Sequence, residues 1–221
     1  MPLRRLRRSE LPADTVELAR YLIGKVVVHD HPQGRLAGRI VETEAYPPGD
    51  AASHAFRRKT TRNAVMYLRR GHAYVYFTYG AHFLLNVTSE QPDVGAAVLI
   101  RAVEPLEGIA LMEQFRGVTR ATDLTRGPGR LAEAFDIDLR LNGVDLCEAG
   151  PLWLAAGARM REEVGESVRI GITHDAERIL RFYERGNSFV SGPKHLNSRS
   201  SAARAPAISS AGSALPAKRP R

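Results

Sequence analysis

Two carboxylates spaced two residues apart, Glu42 and Glu44, lie within the segment Arg39–Tyr46, RIVETEAY. In an extended chain they point to one side with Ile40 and Tyr46, while Val41, Thr43 and Ala45 point to the other. A solvated edge strand carries glutamates harmlessly, but this face mixes acid, aromatic and aliphatic side chains. Pro47-Pro48-Gly49-Asp50 stops the strand directly after Tyr46, and strand ends that feed loops are where rigid scaffolds commonly place chemistry. An ionised glutamate there can take a proton from water or stabilise developing positive charge. Glu44 is therefore the first candidate catalytic residue. Arg101 also needs an explanation, because it is the single charge in Ala96–Val103, AAVLIRAV, and a buried cation requires a carboxylate. Glu44, Glu42 and Glu104 are its candidate partners, and a purely structural ion pair accounts for it as well.

The charge distribution points to a partner. No Asp or Glu occurs from Ala51 to Ser89, a stretch holding Arg57, Arg58, Lys59, Arg62, Arg69 and Arg70 with Tyr67, Tyr74, Tyr76 and Tyr79. Cations interleaved with aromatics suit phosphates and stacked bases. A hairpin core under a solvated basic loop would have the same outline, but the absence of any acid favours nucleic acid. Part of the net charge of +8 lies elsewhere: Arg199, Arg204, Lys218, Arg219 and Arg221 stand in an acid-free, Ser/Ala/Pro-rich tail expected to be disordered.

The elements that must position these residues can be read in order. Asp14 caps a helix reaching Leu22, and Gly24 ends it. Lys25–Asp30 and Arg35–Tyr46 form a hairpin about His31-Pro32-Gln33-Gly34. The loop from Pro47 to Lys59 carries His54, and a helical turn follows near Thr61–Leu68. Strands are expected at His72–Tyr79, His82–Thr88 and Ala96–Val103, then helices at Leu106–Arg116 and Gly129–Phe135. Short strands are expected near Leu152–Ala155, Val168–Thr173 and Arg181–Glu184. Strands precede helices instead of alternating with them, which predicts an α+β fold: a single mixed domain with a mainly antiparallel β-sheet, flanking helices and a protruding hairpin.

The composition, 43% hydrophobic and 25% charged over 221 residues, suits one globular domain. Expected bounds are a basic arm at 1–8, the domain at 9–195 and the tail at 196–221. The lone Cys147 offers no internal disulfide, and no Cys/His spacing suits zinc, so a reducing compartment without a structural metal is expected. No apolar run approaches a membrane span and no signal peptide is evident. The expectation is a cytoplasmic, nucleoid-associated protein acting as a monomer, with no membrane partner.

Taken together, RIVETEAY (39–46), SHAFRRKTTRN (53–63), GHAYVYFTYGAHFLLNVTS (71–89), AAVLIRAVEPLEG (96–108), GPGRLAEAF (127–135) and RFYERGNSFVSG (181–192) resemble the alkyladenine, or 3-methyladenine, DNA glycosylase family. The resemblance covers roughly residues 9 to 192, and it is the combination that is specific. It implies an enzyme without metal or organic cofactor that extrudes alkylated or deaminated purines from double-stranded DNA and hydrolyses the N-glycosidic bond, leaving an abasic site. By motif position Glu44 corresponds to the general base and Arg101 to the arginine that helps hold water and carboxylate. Tyr46, His54 and Tyr76 match the residues that sandwich the flipped base, and Asn86 matches the one that crowds the 2-amino group of guanine. Tyr79 corresponds to the residue at the tip of a minor-groove hairpin that fills the gap in the duplex. Ala81 stands where some members carry a larger apolar residue. Glu42 has no such counterpart and serves as the expected bystander on the same strand.

Overall fold

Asp14 sets the first element: its carboxylate accepts from the Val16 and Glu17 backbone N–H groups, 2.8 Å each, satisfying two donors that a helix N-terminus leaves free. Helix α1 (Thr15–Leu22) buries Leu18, Ala19 and Leu22. In this computed structural model, which describes residues 3–78, 80, 82–157 and 163–197, the expected tail from 198 and the positions Tyr79 and Ala81 lie outside the described residues. The chain continues through β1 (Val26–His31), β2 (Gly34–Tyr46), β3 (Ala73–Thr78), β4 (His82–Thr88) and β5 (Ala97–Glu107). Helices α2 (Ile109–Arg116), α3 (Ala121–Thr125) and α4 (Pro128–Ala134) come next, then β6 (Leu152–Ala155), β7 (Val164–Val168), β8 (Ile179–Glu184) and a short α5 (Lys194–Asn197).

The described strands make one sheet in the order β3-β4-β5-β2-β1-β6, with β8 on β2 and β7 on β8. All these pairings are antiparallel, so the α+β expectation holds. The central strand β2 is long enough to use one edge twice. Its first half, to Arg39, pairs with β1, and Glu42, Thr43 and Glu44 pair with β8, while the other edge takes β5 along nearly its whole length. Apolar side chains of α1, the sheet, α2 and α4 close the main core, with Phe135, Met112, Ile100 and Phe182 among its buried members. The Thr43 hydroxyl ties α1 to β2 by donating to Ala19 O at 2.9 Å.

Three sequence expectations need correction. The strand expected at Val168–Thr173 is displaced: β7 ends at Val168, and Gly171 takes φ +75°, outside the extended region. Its apolar residues Ile170 and Ile172 line a cavity instead of a sheet. The helix expected from Leu106 starts only at Ile109, because β5 runs on to pair Glu107 with Ala37 and Gly108 turns the chain at φ +78°. The short helices α3 and α5 were not anticipated; five and four residues carry too little periodicity to read. No helix among the described residues is long and apolar enough to cross a membrane.

Candidate active site

Register places the candidate residues in one line across the sheet. Arg181 on β8 lies opposite Glu44 on β2, Glu44 opposite Leu99 on β5, Leu99 opposite Asn86 on β4, and Asn86 opposite Tyr74 on β3. Directly opposed residues share a face, so five strands contribute to one face of the sheet. Tyr46 and Tyr76, two residues along from Glu44 and Tyr74, belong to the same face.

Arg101 shares this face because it lies two residues along β5 from Leu99, and both line one cavity. The ladder is irregular there, with Glu42 pairing with Ala102 and Thr43 with Ile100, so Arg101 has no partner directly opposite it on β2. Its Nε donates to Glu42 Oε1 at 2.9 Å, and its Nη1 lies 3.1 Å from Glu44 Oε2. Of the three partners considered from sequence, the guanidinium therefore takes Glu42 and Glu44. Glu104 pairs with Arg39 instead.

The two glutamates, both without exposed surface, are held differently. Glu42 accepts from Arg101, from Arg181 Nε at 2.7 Å, and from Ser191 Oγ at 3.0 Å and backbone N at 2.6 Å. Burial works to raise its pKa, but Arg101 and then Arg181 outweigh it and hold the carboxyl below its ordinary value. Glu44 accepts from the Tyr46 hydroxyl at 3.0 Å and from the Ile170 backbone N–H at 2.8 Å. Burial, reinforced by Glu44, pushes the Tyr46 phenol up, so it stays protonated as the donor. The partners of Glu44, namely Tyr46, Arg101 and Ile170, all line one cavity of about 370 Å³, whereas Arg181 and Ser191 do not. Neither glutamate lines the cavity itself; Glu44 sits directly behind three residues that do, and Glu42 reaches the wall only through Arg101.

The same cavity is walled by His54, Tyr76 and Asn86, so the structure brings the base-binding candidates together with Glu44 and Arg101. The His54 and Tyr76 rings stand edge to face, 4.4 Å between centroids. The Asn86 amide donates to Tyr74 O at 3.1 Å, which orients its side chain along the wall. His54 Nδ1 lies 2.9 Å from the Tyr74 hydroxyl. Burial holds His54 below the ordinary imidazole value, helped by Arg62, and burial pushes Tyr74 up. Both groups are therefore held in their neutral forms across this contact. Tyr74, one of the tyrosines of the acid-free segment, is buried and holds His54 in place through this contact.

The loop between β2 and β3 holds its shape through Asn63, which is 3% exposed. Its amide donates to His54 O at 2.8 Å and Arg58 O at 3.0 Å, and its carbonyl accepts from Thr60 N at 2.6 Å. Arg57, Arg58 and Arg62 are exposed and line a second cavity of about 300 Å³ that shares His54 and Tyr74 with the first. Arg62 also donates to Phe77 O on the hairpin at 3.1 Å. Lys59 is drawn aside, with its Nζ 3.4 Å from Asp93 and 5.2 Å from the Tyr67 ring centre.

Sequence reasoning missed Asn63, the Ile170 N–H and the Arg169–Asp50 pair. Arg169 and Asp50 carried no local signal, since one lay in an expected strand and the other in an expected turn. Chemically, the arrangement can stack a flat aromatic ligand and present a carboxylate, steadied by a cation, at its edge. A protein of Mesorhizobium japonicum named "Putative 3-methyladenine DNA glycosylase" is 61% identical over 191 residues, covering 86% of this chain and 92% of that protein. Proteins of the same name from Paraburkholderia phytofirmans and Rubrobacter xylanophilus are 50% identical over 196 residues and 44% over 178, covering 89% and 80% of this chain and 92% and 93% of theirs. The family model described as methylpurine-DNA glycosylase matches residues 9–188, which hold all eight described strands and the Glu44–Arg101 pair: the chain belongs to the methylpurine-DNA glycosylase family.

Proposed function

We propose that this chain is a monofunctional DNA glycosylase that flips alkylated purines, 3-methyladenine foremost, out of duplex DNA and hydrolyses the N-glycosidic bond. The observation that carries the reading is the placement of Glu44 directly behind the wall of an aromatic cavity, its oxygens held by Tyr46, Arg101 and Ile170, which line that cavity. The cavity falls within the range of small-ligand pockets, about 300–1,000 Å³.

In this mechanism the flipped base stacks among Tyr46, His54 and Tyr76, and Asn86 crowds a guanine 2-amino group. Extrusion costs a few kcal/mol and least at a damaged pair. A cationic methylpurine gains about 0.5–2 kcal/mol from electron-rich rings. Neutral His54 avoids placing a second positive charge beside it. Glu44 takes a proton from water as the water oxygen bonds to the deoxyribose C1′. The C1′–N9 bond breaks, and its electron pair neutralises the departing purine. The carboxylate also stabilises the oxocarbenium character of the sugar. Lysine is absent from the cavity wall among the described residues, which favours attack by water over a Schiff base with the enzyme.

The test uses a duplex with one alkylated purine under single-turnover conditions, with products identified. Release of free base and an abasic strand is the expected result, whereas binding without release would sink the reading. Glu44→Gln is expected to slow excision by at least about 10²-fold while lesion binding persists. Excision at the wild-type rate in that variant would remove Glu44 as the base.

A further inference from the structure

Behind Tyr46 lies a charge pair outside the cavity wall. Arg169 and Asp50 both have side chains with no exposed surface, and the guanidinium carbon of Arg169 sits 4.6 Å from the Tyr46 ring centre. Tyr46 lines the cavity and Arg169 does not, so the cation backs the ring on the side away from the ligand space. Arg169 Nη1 contacts Asp50 Oδ2, and Nη2 donates to Oδ1 at 3.0 Å. The same two nitrogens donate to Ala45 O at 3.1 Å and Asp175 O at 3.3 Å. Its Nε is buried with no acceptor among the described residues. A guanidinium this near a ring, with a carboxylate clamping it, adds a cation–π contact to its hydrogen bonds.

The residue after Arg169 is Ile170, whose N–H binds Glu44 Oε1. Tyr46 binds the other oxygen, Oε2. One dipeptide therefore supports the stacking ring through its side chain and the carboxylate through its backbone. Resting on the glycosylase reading above, we propose that Arg169, clamped by Asp50, is a positioning residue that sets the Tyr46 stacking face and the Glu44 carboxylate together, so that base capture and hydrolysis depend on one buried ion pair.

Arg169→Lys tests this, because it keeps the charge opposite Asp50 but removes the flat group from the ring. The wild type, Arg169→Lys, Tyr46→Ala and the double variant are compared by thermal melts, by affinity for lesion and lesion-free duplexes, and by single-turnover excision. Arg169→Lys is expected to keep a cooperative melt and wild-type affinity for lesion-free duplex. Lesion affinity and excision should both fall about tenfold, within the coupling known for residues in contact. In the Tyr46→Ala background the same change should cost little more, because its effect passes through that ring. Additive losses in the double variant, or wild-type excision by Arg169→Lys, overturn the proposal. Should Arg169→Lys fail to fold, Asp50→Glu, which keeps both charges and shifts the clamp by one methylene, carries the same cycle. Failure of the wild type to release any methylated purine would instead defeat the glycosylase reading itself.

Discussion

Glu42 and Glu44 are separated by one residue, yet their surroundings assign them different work. Glu42 is enclosed by two guanidiniums and Ser191, so it anchors Arg101 and is more than a bystander on the strand. Replacing it by Gln leaves two buried cations short of a charge, and breaking a buried pair costs about 3–5 kcal/mol. Glu42→Gln should therefore unfold at markedly lower denaturant while its excision rate, measured where it is folded, falls less than that of Glu44→Gln. The pH dependence follows from the lowered carboxyl pKa. The stabilisation is present above the unfolded value of about 4.5 and is lost as pH falls through the lower folded value. The gap in stability between wild type and variant should therefore narrow in acid, and a constant gap would contradict an ionised Glu42. His54 gives a second pH test. Its folded pKa lies below the unfolded 6.5, so the neutral ring is favoured above 6.5 and protonates as pH falls through the lower value. Affinity for a cationic lesion should drop across that window, through charge repulsion between the imidazolium and the base. The drop should be absent in His54→Gln, as followed by equilibrium binding at fixed ionic strength.

At the scale of elements, the loop between β2 and β3 joins recognition to affinity. Asn63 ties the His54 carbonyl to the Arg58 carbonyl of the basic segment, so one side chain fixes the cavity residue relative to that segment's backbone. Each phosphate contact made by Arg57, Arg58 or Arg62 adds about 0.9 to the log–log salt slope of duplex binding. Replacing Arg57, Arg58 and Lys59 should flatten the slope for lesion-free DNA, with the arginines contributing more than Lys59, which is engaged by Asp93 and Tyr67. An unchanged slope would place the duplex on another face.

Across the whole molecule, what could be read from the chain alone was local in origin. Alternation identified β4 and β6 at their observed ends, and the Asp14 cap and Gly24 bounded α1, because these signals act over two to four residues. The face shared by Glu44 and Tyr46, and the acid-free basic segment, are likewise properties of neighbours in sequence. The tertiary structure decided the long-range choices. Arg101 takes Glu42 from 59 residues away, and Ser191 reaches the same carboxylate across 149. The irregular pairing that leaves Arg101 without a partner directly opposite exists only in the register between β2 and β5. The segment after Val168 reads as a strand by its apolar residues, but it turns because Ile170 and Ile172 find a cavity wall and Arg169 finds Asp50 and the Tyr46 ring. A buried ion takes whichever partner the packed sheet brings within reach, and that proximity depends on the register of β2, β5 and β8 together.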